Sequence, residues 1–115
     1  MPASQLALIN EVEYSTAIAI ELYTDFLNEY PESPLVRNNL ALRLAEAGSL
    51  DQAVEMAKRA TEQAPGNPSV LDTYGWLLFQ AGNAAAAVQV LSTAAALAPG
   101  NETIAGHLEE ARKSL

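Results

Sequence analysis

Apolar residues recur along this chain in three- and four-residue steps, and the stripes are broken by Gly, Pro and Asn. Leu40, Leu44 and Ala47 form one stripe; Val70, Leu71, Tyr74, Leu77, Leu78 and Ala81 form another. Val54, Ala57 and Ala60 mark a third, and Val88, Leu91, Ala94 and Ala95 a fourth. Ile104, Leu108, Ala111 and Leu115 make the last. Such steps gather side chains on one face of a helix, and no segment shows the alternation of a half-buried strand. The pattern predicts an all-α chain with helices near 35–47, 50–63, 69–81, 84–97 and 102–114.

The stripes repeat with a period of 34, seen in Pro31, Pro65 and Pro99, in Ala19, Ala53 and Ala87, and in Leu6, Leu40, Tyr74 and Leu108. Gly48 and Gly82 share that spacing. Residues 34–67 and 68–101 are identical at 12 of 34 aligned positions, where chance gives about two or three. The punctuation explains the period. Ser33, Asn67 and Asn101 are cap residues, followed by Pro34, Pro68 and Glu102, which suit a first helical turn. Gly48 and Gly82 stop the first helix of each unit by accepting a left-handed backbone. Pro31, Pro65 and Pro99 prevent the second helix from continuing. Tyr14 stands one period before Gly48, so residues 4–30 read as two helices or one bent one.

A 34-residue helix–turn–helix unit with small residues at Ala41 and Gly75, Gly48 and Gly82, Ala53 and Ala87, Ala60 and Ala94, and Pro65 and Pro99 resembles the tetratricopeptide repeat (TPR) family. The resemblance implies a TPR-type α-solenoid of antiparallel helix pairs, a single domain over residues 1–115. Two full repeats, 34–67 and 68–101, are flanked by a degenerate repeat at 1–33 and a capping helix at 102–115. Leu71 in place of an early Trp, and Ala57 in place of an aromatic, depart from the family pattern. The stretches "NNLALRLAEAG", "LDTYGWLLFQAGN" and "LAPGNETIAGHL" also resemble the C-terminal repeats of long bacterial TPR proteins, those associated with exosortase (PEP-CTERM) systems among them. That narrower likeness implies a fragment of an envelope-associated protein.

TPR arrays resemble a superhelix whose concave face is made by the first helices. The matching positions are Leu35, Asn38, Leu42, Ala45 and Glu46, then Ser69, Asp72, Trp76, Phe79 and Gln80. Trp76 and Phe79 are offset by one residue, about 100°, from the stripe of Leu71, Tyr74, Gly75 and Leu78. The candidate partner-binding residues are therefore Asn38, Leu42, Asp72, Trp76 and Phe79. Trp76 is either a ligand anchor or a packing partner for Ala105 or Leu108. Relatives that clamp a C-terminal carboxylate resemble one another in placing Lys, Arg and Asn on this face. Here Leu42, Asp72, Thr73 and Trp76 occupy those places, and Arg37 and Arg43 are expected to point elsewhere. Asn38 suits a peptide backbone, and Asp72 with Glu46 suits a basic side chain.

Charge narrows the partner. The 115 residues carry 14 carboxylates against six Lys and Arg, a net charge of −8, and residues 1–36 contain no Lys or Arg. A nucleic-acid binder needs a basic stripe to displace counterions, and this chain has none. An apolar or basic protein or peptide segment fits better. With no Cys and one His, His107, there is no ligand set at metal-binding spacing, and no cofactor is expected. His107 reads as a surface or packing residue. No apolar run is long enough to insert into a membrane, and "MPASQLALIN" lacks the basic start of a signal peptide. The expected compartment is cytoplasmic for a complete chain, and the cell envelope or periplasm for a fragment. The functional expectation is a non-enzymatic scaffold holding a peptide or protein segment in the concave groove. The alternative is a structural segment or cap of a longer solenoid, or a self-association module such as a homodimer.

Overall fold

The computed structural model describes residues 11–115, which form six helices and no strand. They are α1 (Glu11–Glu29), α2 (Pro34–Glu46), α3 (Leu50–Gln63), α4 (Pro68–Gln80), α5 (Ala84–Leu97) and α6 (Glu102–Lys113). The predicted boundaries of α2 to α6 agree with these to within a residue.

The ends follow from local chemistry. Asn67 Oδ1 accepts from the backbone N–H of Ser69 (3.0 Å) and Val70 (3.2 Å), and Asn101 Oδ1 from that of Ile104 (3.0 Å). Asn83 caps α5 in the same way, accepting from Ala86 (3.3 Å). Ser33 has the extended backbone of a cap residue, but its hydroxyl makes no capping bond. After α2, Gly48 takes φ +86°, and after α4, Gly82 takes φ +90°. That left-handed step lets Ser49 N donate to Leu44 O and Gly48 N to Ala45 O, and the pattern recurs from Asn83 to Leu78 and from Gly82 to Phe79. Each turn thereby satisfies carbonyls that the helix end would leave open.

For residues 4–30 the sequence left open two helices or one bent one. Among the described residues, α1 runs unbroken through Tyr14, with no break between two helices; residues 4–10 lie outside the described part. A Tyr cannot take the left-handed step cheaply, so the helix continues where Gly48 and Gly82 turn. Three stripe positions differ. Ala47 and Ala81 cap the ends of α2 and α4 and are exposed. Leu115 lies beyond the end of α6 and is 73% exposed.

The core is built around α4. Val70, Leu71, Thr73, Gly75, Leu77 and Leu78 of this helix are buried. Leu77 packs with Ala41 of α2 and with Ala53 and Ala57 of α3. Leu78 packs with Ala87 and Leu91 of α5 and with Leu108 and Ala111 of α6. Leu71 meets Ala94 and Ile104. Ala41, Ala53, Ala57, Ala60, Ala87 and Ala94 are all fully buried, because small residues let paired helices approach. Gly75 is the tightest such place: a Cβ there would lie 2.6 Å from Leu91 Cγ. The first helices α2, α4 and α6 touch in succession, so their outward sides form one continuous face.

Candidate functional site

Asp72, Trp76 and Phe79 occupy one row of α4, spaced four and three residues apart, and α6 meets this row through His107. The His107 Nδ1 lies 2.8 Å from Asp72 Oδ1. An ionised carboxylate can only accept, so Nδ1 carries the proton and donates. The same imidazole stacks on the Trp76 indole, with ring centroids 4.0 Å apart and planes 18° apart. Trp76 also meets Phe79, with ring centroids 5.1 Å apart and planes tilted by 31°. Phe79 in turn packs on the cluster of Leu78, Ala87, Leu91, Leu108 and Ala111, which ties the aromatic row to the core. Asp72, Trp76, Phe79 and His107 are all half-buried.

Trp76 is therefore neither a core residue nor an indole standing free in solvent. The last helix reaches it through His107. His107, read from the sequence as a surface or packing residue, was missed as a member of this cluster. Its signal was indirect: one period before His107 stands Thr73, next to Asp72 on the face-forming helix.

On α2, Asn38 and Leu42 are one turn apart and half-buried. The Asn38 Oδ1 is buried and accepts no hydrogen bond. Among the described residues, no hydrogen bond or ring contact links these two to the α4 row. Two carboxylates expected to be open to a basic side chain are already engaged. Asp72 is held by His107, and Glu46 by Arg43 at 2.8 Å and by the Thr16 hydroxyl at 3.2 Å. Arg43 thus reaches a residue of the predicted concave face, while Arg37 turns toward α3. Arg37 donates to Pro31 O (2.8 Å) and approaches Met56 Sδ, beside a cleft of about 750 Å³ between α1, α2 and α3. Among the described residues, no group of three or more His, Cys, Asp or Glu could hold a metal ion, and no helix is long and apolar enough to cross a membrane.

A sequence profile described as Tetratricopeptide repeat matches residues 44–111, and a second profile of the same description matches residues 15–68. A search of curated proteins found no match. Solved structures share the fold. The Sgt2 TPR domain from Aspergillus fumigatus superposes with a TM-score of 0.81 at 22% identity, covering 87% of this chain and 68% of that one. The first TPR of Spaghetti (RPAP3), bound to the HSP90 peptide SRMEEVD, gives 0.82 at 17% identity, covering 87% and 79%. The TPR2B domain of yeast Sti1, in complex with pHsp70, gives 0.80 at 20% identity, covering 89% and 86%.

Proposed function

Since the chain belongs to the tetratricopeptide repeat family, we propose that it is a non-enzymatic scaffold that holds a peptide or protein segment against the face of α2, α4 and α6. The observation that carries this reading is the Asp72–His107–Trp76–Phe79 cluster. A half-buried aromatic pair, braced from the next first helix, is a rigid apolar anchor, and such anchors dominate peptide binding. Leu42 extends the apolar area by one repeat. Asn38 buries its amide oxygen and offers its side-chain amide N–H groups to a peptide backbone.

The similar first TPR of Spaghetti (RPAP3) is bound to the HSP90 peptide SRMEEVD, which supports a peptide as the kind of ligand. The ligand's charge should differ. No Lys or Arg stands at positions 38, 42, 72, 73 or 76, and the chain carries −8 overall, so an acidic C-terminal peptide meets repulsion here. The favoured ligand is apolar with a positive charge, drawn in by the field of the whole chain.

The test compares a fluorescently labelled peptide of Leu, Phe and Lys with the acidic peptide SRMEEVD, against the full chain and against a Leu42→Ser, Trp76→Ala, Phe79→Ser triple variant. The basic peptide should bind the parent chain and lose that affinity in the variant. Equal binding by a variant that keeps its helical circular dichroism would show that this face is not the site.

A further inference from the structure

We propose that the outward side of α1 is a second docking surface, and that it takes a basic amphipathic helix of a partner protein. Tyr14, Ile18, Leu22, Phe26 and Tyr30 follow one another at four-residue steps, and all five are exposed, Leu22 by 63%. Tyr30 belongs to the row although α1 ends at Glu29, because its N–H still donates to Phe26 O at 2.8 Å. The Phe26 and Tyr30 rings touch, with centroids 4.8 Å apart. Sixteen residues of helix make a row about 24 Å long. Single exposed apolar residues are ordinary, whereas a contiguous row of this length marks a contact surface.

The inward side of α1 makes the arrangement more pointed. It buries Leu27 and a threonine, Thr16, whose hydroxyl donates to Glu46 on α2. A helix made only to pack on α2 would turn its largest apolar side chains inward. Here three aromatic rings and two aliphatic chains face out.

Charge identifies the occupant. Glu21, Asp25 and Glu29 each immediately precede a member of the apolar row, namely Leu22, Phe26 and Tyr30. They therefore form a parallel exposed row, turned about 100° around the helix. A ridge of four-residue spacing is what the groove of another helix accepts. The complementary helix carries an apolar row beside a row of Lys or Arg. A second α1 is a poor fit, since it would bring the same carboxylates and residues 1–36 hold no Lys or Arg. An anionic lipid surface meets the same repulsion.

Two capped synthetic helical peptides test this, both with Leu at four-residue steps, one with Lys beside each Leu and the other with Glu. The full chain should bind the Lys peptide and shift α1 amide resonances, while the Glu peptide binds at least roughly tenfold more weakly. Leu22→Ser with Phe26→Ser should weaken the Lys peptide by a similar factor and remove its shifts of the α1 amide resonances. Glu21→Lys with Asp25→Lys should reverse the preference, a gain that an unfolded variant cannot give. The proposal is overturned by equal binding of both peptides or of neither, or by a preference that the charge reversal leaves untouched. Loss of binding in Trp76→Ala alone assigns it to the other face. A dimer in sedimentation that Leu22→Ser dissociates, or nuclear Overhauser contacts from Leu6 or Ile9 to Phe26, would show the row occupied by a second copy or by the chain's own residues 1–10.

Discussion

The His107 imidazole lies face to face with the Trp76 indole at 4.0 Å, while its Nδ1 holds Asp72 at 2.8 Å. One side chain of the last helix thus fixes both the polar and the aromatic end of the α4 row. His107→Ala should release the indole. The expected outcome is a red shift of Trp76 emission and easier acrylamide quenching, with a stability loss of about 1–2 kcal/mol from the stacking and the half-buried hydrogen bond. Urea titration alongside the emission spectrum checks both.

Gly75 is where α4 and α5 come closest. Gly75→Leu should overpack this contact against Leu91 and destabilise the fold by about 1–3 kcal/mol. Gly75→Ala should already be felt, since its Cβ would meet Leu91 Cγ at 2.6 Å. Denaturant midpoints of the two variants should fall in that order.

The caps predict a contrast between two similar substitutions. Asn67→Ala removes an acceptor for two backbone N–H groups and should cost about 1 kcal/mol. Ser33→Ala removes a hydroxyl that makes no capping bond, so its cost should be much smaller. Equal shifts in melting temperature would contradict the capping account.

We propose that α6 caps the array, because a stack of repeats needs an end with a polar outer side. Ile104, Leu108 and Ala111 are buried against α4 and α5, while Glu109, Glu110, Arg112 and Lys113 stay exposed. Deleting residues 102–115 uncovers Leu71, Leu78 and Ala94 and should lower the melting temperature of the whole chain. An unchanged melting temperature would remove the capping role.

Most of the fold was legible because its instructions are local. Asn67 and Asn101 announce helix starts, Gly48 and Gly82 announce stops, and the period of 34 fixes the pairing. What escaped depends on distant geometry. His107 and Asp72 are 35 residues apart, and their meeting follows from how α6 settles against α4, which no local signal encodes. Glu46 was read as open for a similar reason, since the Thr16 hydroxyl reaches it from α1, 30 residues earlier. The continuous α1 was half visible: Tyr14 in place of Gly marked the departure without deciding its form. Asp72, Trp76 and Phe79 were placed on one face of α4 by the family resemblance, with helical spacing adding the offset of Trp76 and Phe79 from the apolar stripe. Asn38 and Leu42 were placed on the same face by the family resemblance.

The measurement that bears most directly on the groove reading is Trp76 fluorescence during titration of the full chain with the basic Leu–Phe–Lys peptide. Trp76 is the only Trp, so its signal belongs to this face alone. The account predicts a saturable change in emission and loss of acrylamide quenching as the peptide covers the indole, with little response to SRMEEVD. Calorimetric binding of the basic peptide with Trp76 emission and quenching unchanged would contradict it.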